Sequence, residues 1–138
     1  MKLLIIMIFL IPFSLVGQNS KPYLQTMEKF KMFYNAAQGD SVNVMFGHEL
    51  DEMKKSGPIW TNEKSKQYLE EYGKLVSFKF IGVVNDESKR MAVFKTVFSK
   101  KGNKVTSFSL DEENKLATFR FSTGSDSKEI NRLLKSSH

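Results

Sequence analysis

VSFKFIGVVNDESKRMAVFKTVFSKKGNKVTSFSLDEENKLATFRFS (Val76–Ser122) holds four strand-like runs separated by turn residues. The runs are VSFKFIGVV (Val76–Val84), MAVFKTVFS (Met91–Ser99), VTSFSL (Val105–Leu110) and KLATFRFS (Lys115–Ser122), and they carry seven of the chain's twelve phenylalanines. Aromatic and β-branched residues at alternate positions mark half-buried strands, because successive side chains leave a strand on opposite faces. One face collects Phe78, Phe80, Phe94, Phe98, Phe108, Leu110, Phe119 and Phe121. The other collects Ser77, Lys79, Lys95, Ser107, Ser109, Thr118 and Arg120, with Val93 and Val97 keeping it partly apolar. Asn85–Ser88, Lys101–Asn103 and Asp111–Asn114 are short connections, and short connections join antiparallel neighbours, so a four-stranded meander is expected. The half of the chain before it is helix-patterned. The fold class is therefore α+β: N-terminal helices packed on one face of a curved antiparallel sheet, a shape that makes a cone.

Upstream, Tyr23, Met27, Phe30, Tyr34 and Ala37 recur at helical spacing and predict an amphipathic helix over about Lys21–Gln38. Gly39 is expected to end it and Asp40 to cap a short second helix with Val42, Met45 and Phe46 inward. KKSGPIW (Lys54–Trp60) reads as a loop punctuated by Gly57-Pro58. Thr61 or Asn62 then caps a third helix, with Glu63 in its first turn and Tyr68, Leu69, Tyr72 and Leu75 as its inner face. Gly73 breaks it into the sheet. A last short helix after Gly124 presents Ile130, Leu133 and Leu134.

Residues 1–17 read as a secretory signal peptide. Lys2 supplies the charge, Leu3–Val16 the apolar stretch, and Gly17 a small residue before the cut, with Leu15 a poorer fit. The apolar run is shorter than the roughly 20 residues a membrane span needs, so no stable membrane insertion is expected after cleavage. Gln18–His138 is then one domain, long enough for a core, secreted or periplasmic. The chain has no cysteine, so neither a disulfide nor a lipidated cysteine is available to it. The formal net charge is +6, one less without Lys2, and the lysines are scattered, not gathered in a stripe interleaved with aromatics. That argues against a nucleic-acid partner.

The chain resembles the NTF2-like family. FYNAAQGDSVNVMF (Phe33–Phe46), YGKLVSFKFIG (Tyr72–Gly82) and SFSLDEENKLATFRF (Ser107–Phe121) look like a small bacterial domain of unknown function within it, over roughly Lys29–Thr123. Members of that kind sit in secreted bacterial proteins, alone or fused to serine hydrolases, and carry no agreed catalytic residues. The resemblance implies a free-standing accessory or binding domain. Within those motifs Asn35 and Asp40 are expected to satisfy backbone groups at the first helix end. Gly102 would permit a hairpin, and Asp111 and Asn114 would stabilise the last turn.

Chemistry is sparse. The histidines are His48 and His138, and HELDE (His48–Glu52) has Glu52 where a zinc helix has its second histidine. No nucleophile motif, glycine-rich phosphate loop or ligand cluster is present, so no metal and no cofactor is expected. NTF2-like enzymes place a base inside the cone. Here the inward strand positions are apolar, and a lyase or isomerase would need a helix-borne base such as Asp40, Asp51 or Glu71, each more simply a cap or a solvated charge. The remaining signal is aromatic. Tyr34, Met45, Trp60, Tyr68, Phe80, Phe94 and Phe98 either line a pocket for an apolar or aromatic ligand or fill the core, the commoner use of such residues. The expected function is non-catalytic: binding of a small apolar ligand or of an envelope or protein partner, with a homodimer through the open sheet face as a further alternative.

Overall fold

A computed structural model of the chain describes residues 20–86, 89–120 and 128–136. The signal-peptide reading of residues 1–17, and the expectations for Phe121, Gly124 and His138, fall outside the described residues. The fold is α+β, with a curved, open, four-stranded antiparallel sheet.

Helix α1 covers residues 20–35 and is followed by α2 (Gly39–Val44), a 3-10 turn (His48–Leu50), α3 (Asp51–Lys54) and α4 (Asn62–Tyr72). Strands β1 (Leu75–Asp86), β2 (Lys89–Phe98), β3 (Gly102–Leu110) and β4 (Leu116–Arg120) follow in a meander of order β1-β2-β3-β4, and α5 (Lys128–Ser136) comes last. The strands lie close to where alternation places them, but β1 runs on through Asn85 and Asp86, and the second turn is Ser99–Lys101, with Gly102 and Asn103 already paired in β3. Register pairs Phe80 with Phe94, Phe94 with Thr106, Ala92 with Phe108 and Phe108 with Phe119, so the phenylalanines share one face. Irregularities at Leu75/Ser77, Phe80/Gly82 and Ser109/Leu110 interrupt the ladders, and such bulges bend a strand and strengthen its twist.

Helix α1 lies across the phenylalanine face. Tyr23 stacks on Phe80 (6.2 Å between centroids), Phe30 sits 5.0 Å from Phe119, and Tyr34 meets Phe98 edge-on at 6.0 Å. Met27, Phe30, Tyr34, Phe94 and Phe108 are completely buried. Burying each such side chain contributes about 1.5–3 kcal/mol, and these rings form the centre of the core.

Several local readings are corrected. The first helix ends at residue 35, and Ala37, not Gly39, takes the left-handed position after it (φ 57°). Gly39 instead opens α2 and is buried against the backbone of Thr61 and Asn62. Asp40 does not cap α2. Gln38 stands at that place with no side-chain bond, and Asp40 pairs with Asn62: the Asp40 N–H donates to Asn62 Oδ1 (3.0 Å) and Asn62 Nδ2–H donates to Asp40 Oδ2 (3.1 Å). Leu75, assigned to the inner face of the third helix, is the first residue of β1, because Gly73 (φ 81°) turns the chain out of α4 after Tyr72. Of the two expected caps, Thr61 or Asn62, it is Thr61 that caps α4, its hydroxyl accepting from the Lys64 N–H at 3.0 Å. In the last turn Asp111 Oδ1 accepts from the N–H groups of Glu113 and Lys115 (2.9 Å each), while Asn114 contributes a left-handed backbone (φ 61°).

Asn35 also has a different task from the one expected. It clasps the first residue of β1, with Nδ2–H donating to Leu75 O (2.9 Å) and Oδ1 accepting from Leu75 N–H (2.8 Å). One side chain thus ties the end of α1 to the sheet. Asn35→Ala removes the partner of two backbone groups at a buried residue, and a loss of about 1–3 kcal/mol in urea denaturation is expected. A change under 0.5 kcal/mol would show that water replaces the clasp.

Candidate functional site

Of the seven aromatic and methionine candidates, Trp60 and Tyr68 line an open cleft among the described residues, Tyr68 half-buried and Trp60 at its base with 4% exposed. Tyr34, Phe94 and Phe98 are sealed in the core, at most 1% exposed. Met45 is buried beside them in the same cluster, and Phe80 lies half-buried under Tyr23. The rings of α1 therefore occupy the phenylalanine face of the sheet, and the opening lies to one side, between α4, β4 and the segment joining α2 to α4.

This cleft measures about 510 Å³ and is lined by Phe46, Leu50, Met53, Ile59, Trp60, Lys64, Tyr68, Thr118, Phe119 and Arg120. The segment carrying Trp60 is held from below. Asn43, on α2, has its Oδ1 accepting from the N–H groups of Ile59 (2.9 Å) and Trp60 (3.2 Å). The indole Nε1–H donates to Ser65 Oγ at 2.6 Å. Trp60 immediately precedes the Thr61 cap, and Ser65 is the fourth residue of α4, the two places where an apolar staple usually forms. A hydrogen bond fills that role here. Because the indole's single donor is engaged, the ring offers a ligand only its hydrocarbon surface.

Neighbouring rings hold that surface upright. Tyr68 lies 5.1 Å from Trp60, Phe30 meets it edge-on at 5.8 Å, and Phe119 edge-on at 6.2 Å. Lys64, Thr118 and Arg120 add polar groups to an otherwise apolar lining, and Lys64 Nζ donates to Ile59 O at 3.3 Å. Burial raises the pKa of the Tyr68 phenol, and Tyr72 and Glu71 raise it further. Tyr34 is raised more strongly, again chiefly by burial and then by Tyr72 and Tyr68, and its O–H donates to Gly73 O at 2.8 Å. Burial thus favours the neutral form of both phenols.

The helix-borne carboxylates do not converge on the cleft. Asp40 is tied to Asn62, and Asp51 makes an exposed contact of 3.3 Å with His48 Nδ1. Glu71 is exposed on α4. Among the described residues no three His, Cys, Asp or Glu side chains gather as a metal site, and no helix is long and apolar enough to cross a membrane.

Sequence reasoning missed most of the lining. Phe46 and Phe119 read as plain core, and Thr118 and Arg120 were assigned to the opposite face. They reach the cleft because β4 is the last strand of the sheet. Ser65 could have been found from its spacing to Trp60. Asn43 carries no local signal, since its partners lie 16 and 17 residues away. No family model, curated protein or solved structure matches the chain.

Proposed function

We propose that the chain is an exported, non-catalytic accessory domain of NTF2-like shape that binds a small apolar ligand against Trp60. The observation that carries this reading is the cleft itself: about 510 Å³ of mostly apolar lining with Trp60 at its base, only 4% exposed and with its donor already engaged. That volume falls within the range of about 300–1,000 Å³ usual for small-ligand sites. The order of helices followed by a curved sheet supports the NTF2-like shape, and the apolar leader of residues 1–17 supports export.

Trp60 is the only tryptophan, so its fluorescence reads the cleft directly. A neutral apolar probe such as 1-dodecanol should quench or shift its emission. The affinity should depend weakly on salt, because apolar burial is not screened as charge contacts are. Tyr68→Ala should weaken binding about tenfold, equivalent to roughly 1.4 kcal/mol of lost ring contact. Silence across a lipid and metabolite panel would favour an envelope or protein partner instead. Turnover that Asp40→Asn, Asp51→Asn or Glu71→Gln abolishes would favour a lyase or isomerase.

A further inference from the structure

The methionines among the described residues fall into two groups by exposure. Met27 is completely buried, Met91 is 3% and Met45 9% exposed, whereas Met32 and Met53 are each 58% exposed. A lone exposed apolar side chain is common on protein surfaces. The two differ in where they stand. Met32 belongs to α1 and is no part of the cleft lining, while Met53, on the four-residue helix α3, lines the Trp60 cleft together with Leu50, Ile59 and Phe119. One methionine is therefore open to solvent and also part of the surface that an apolar ligand would cover.

An accessible thioether reacts with a hydroperoxide in a two-electron step. The sulfur lone pair attacks one peroxide oxygen, an S–O bond forms and the O–O bond breaks. The departing hydroxide takes the proton left on the transferred oxygen and leaves as water, so sulfur is oxidised and the peroxide reduced. The chain has no cysteine, so no thiol of its own competes for the oxidant. The sulfoxide is polar where the thioether was apolar, and reductases convert it back. A ligand's hydrocarbon laid over the sulfoxide would strip water from its oxygen without replacing the hydrogen bonds, which is unfavourable.

We propose that Met53 is an oxidation site that switches the Trp60 cleft, a step that rests on the ligand-binding reading of that cleft. The thioether completes the apolar wall, and the sulfoxide formed by a hydroperoxide lowers the affinity for apolar ligands.

The test treats the purified protein with graded hydrogen peroxide. Peptide mass spectrometry follows oxidation at each methionine, and Trp60 emission follows 1-dodecanol affinity. Met53 and Met32 should oxidise well before Met27, Met45 and Met91. Saturating 1-dodecanol should slow oxidation at Met53 and leave Met32 unchanged. Oxidation should weaken 1-dodecanol binding about fivefold, and methionine sulfoxide reductases should restore it. Met53→Leu, which conserves volume and apolarity, should bind 1-dodecanol and keep its affinity through the treatment, whereas Met32→Leu should lose affinity as the unaltered protein does. Oxidation of Met53 at the same rate with and without 1-dodecanol would overturn the proposal. So would unchanged affinity once Met53 is oxidised, or an equal loss in Met53→Leu, and each of these leaves the cleft reading standing. Trp60 emission that ignores 1-dodecanol before any peroxide is added would refute the cleft reading itself, and this switch with it.

Discussion

Phe94→Ala should destabilise the protein by about 3–5 kcal/mol, the usual cost of removing a buried phenylalanine ring. Phe94 is completely buried on the central strand β2, with Phe80 at 5.3 Å, Phe108 stacked at 5.6 Å and Phe78 at 5.8 Å. Each of those rings stands on a paired strand whose register holds it, so the site cannot collapse around the gap. Domains of this size have about 5–15 kcal/mol in total, so the loss is a large share. Phe98→Ala should approach the same cost, since Phe98 is only 1% exposed, whereas half-buried Phe80 and Phe119 should cost less. Lys79→Ala, exposed on the opposite face, should stay within about 0.5 kcal/mol. Urea melts of the series check the face assignment. Equal losses at Phe94 and Lys79 would mean that the strand registers are wrong.

Gly39→Ala should have the second large effect, for a reason of close approach. A Cβ at Gly39 would overlap the carbonyl of Thr61 and crowd the Asn62 N–H. Both are backbone groups, so no side chain can swing aside. Overpacking of this kind costs about 1–3 kcal/mol, occasionally more, and a rigid neighbour places it at the upper end. The strain would also reach the cleft. Thr61 follows Trp60 directly, and the Asp40–Asn62 pair clamps the same junction. Altered Trp60 emission in the folded state is therefore expected together with a lower melting temperature, and Asn62→Ala should share the direction but not the size. Ala37→Gly provides the opposite control. It relieves a left-handed backbone at φ 57° that costs a non-glycine residue about 1–2 kcal/mol, and part of that should return as stability. If Gly39→Ala proved neutral, the close approach of Gly39 to the Thr61 backbone would be wrong.

The contrast between those two positions shows how legibility divides. A glycine after an amphipathic stretch reads as a terminator, because that is its commonest local use. Here Ala37 accepts the left-handed strain, since Gly39 is required where two backbones meet. Asn35 reads as a helix-end residue for the same local reason, yet it serves Leu75, 40 residues on. The candidate site divides in the same way. Trp60 and Tyr68 stood out by residue type and do meet at an open cleft, but Tyr34, Phe94 and Phe98 share that type and are sealed in the core.

The sequence by itself determined the α+β class, the strands with their inward phenylalanines, the meander, a cap at Thr61 or Asn62 and the turn at Asp111. Each follows from periodicity or from interactions within a few residues, which a linear reading contains in full. Tertiary structure alone decided which aromatics close into core and which remain at a cleft, that Asn43 holds the Trp60 segment, and that Lys79 faces Lys95 beside α5. Those outcomes depend on close approach between segments 16 to 40 residues apart and on bulges that offset the strand register. Close packing selects among many arrangements with the same pattern, and the pattern does not encode that selection.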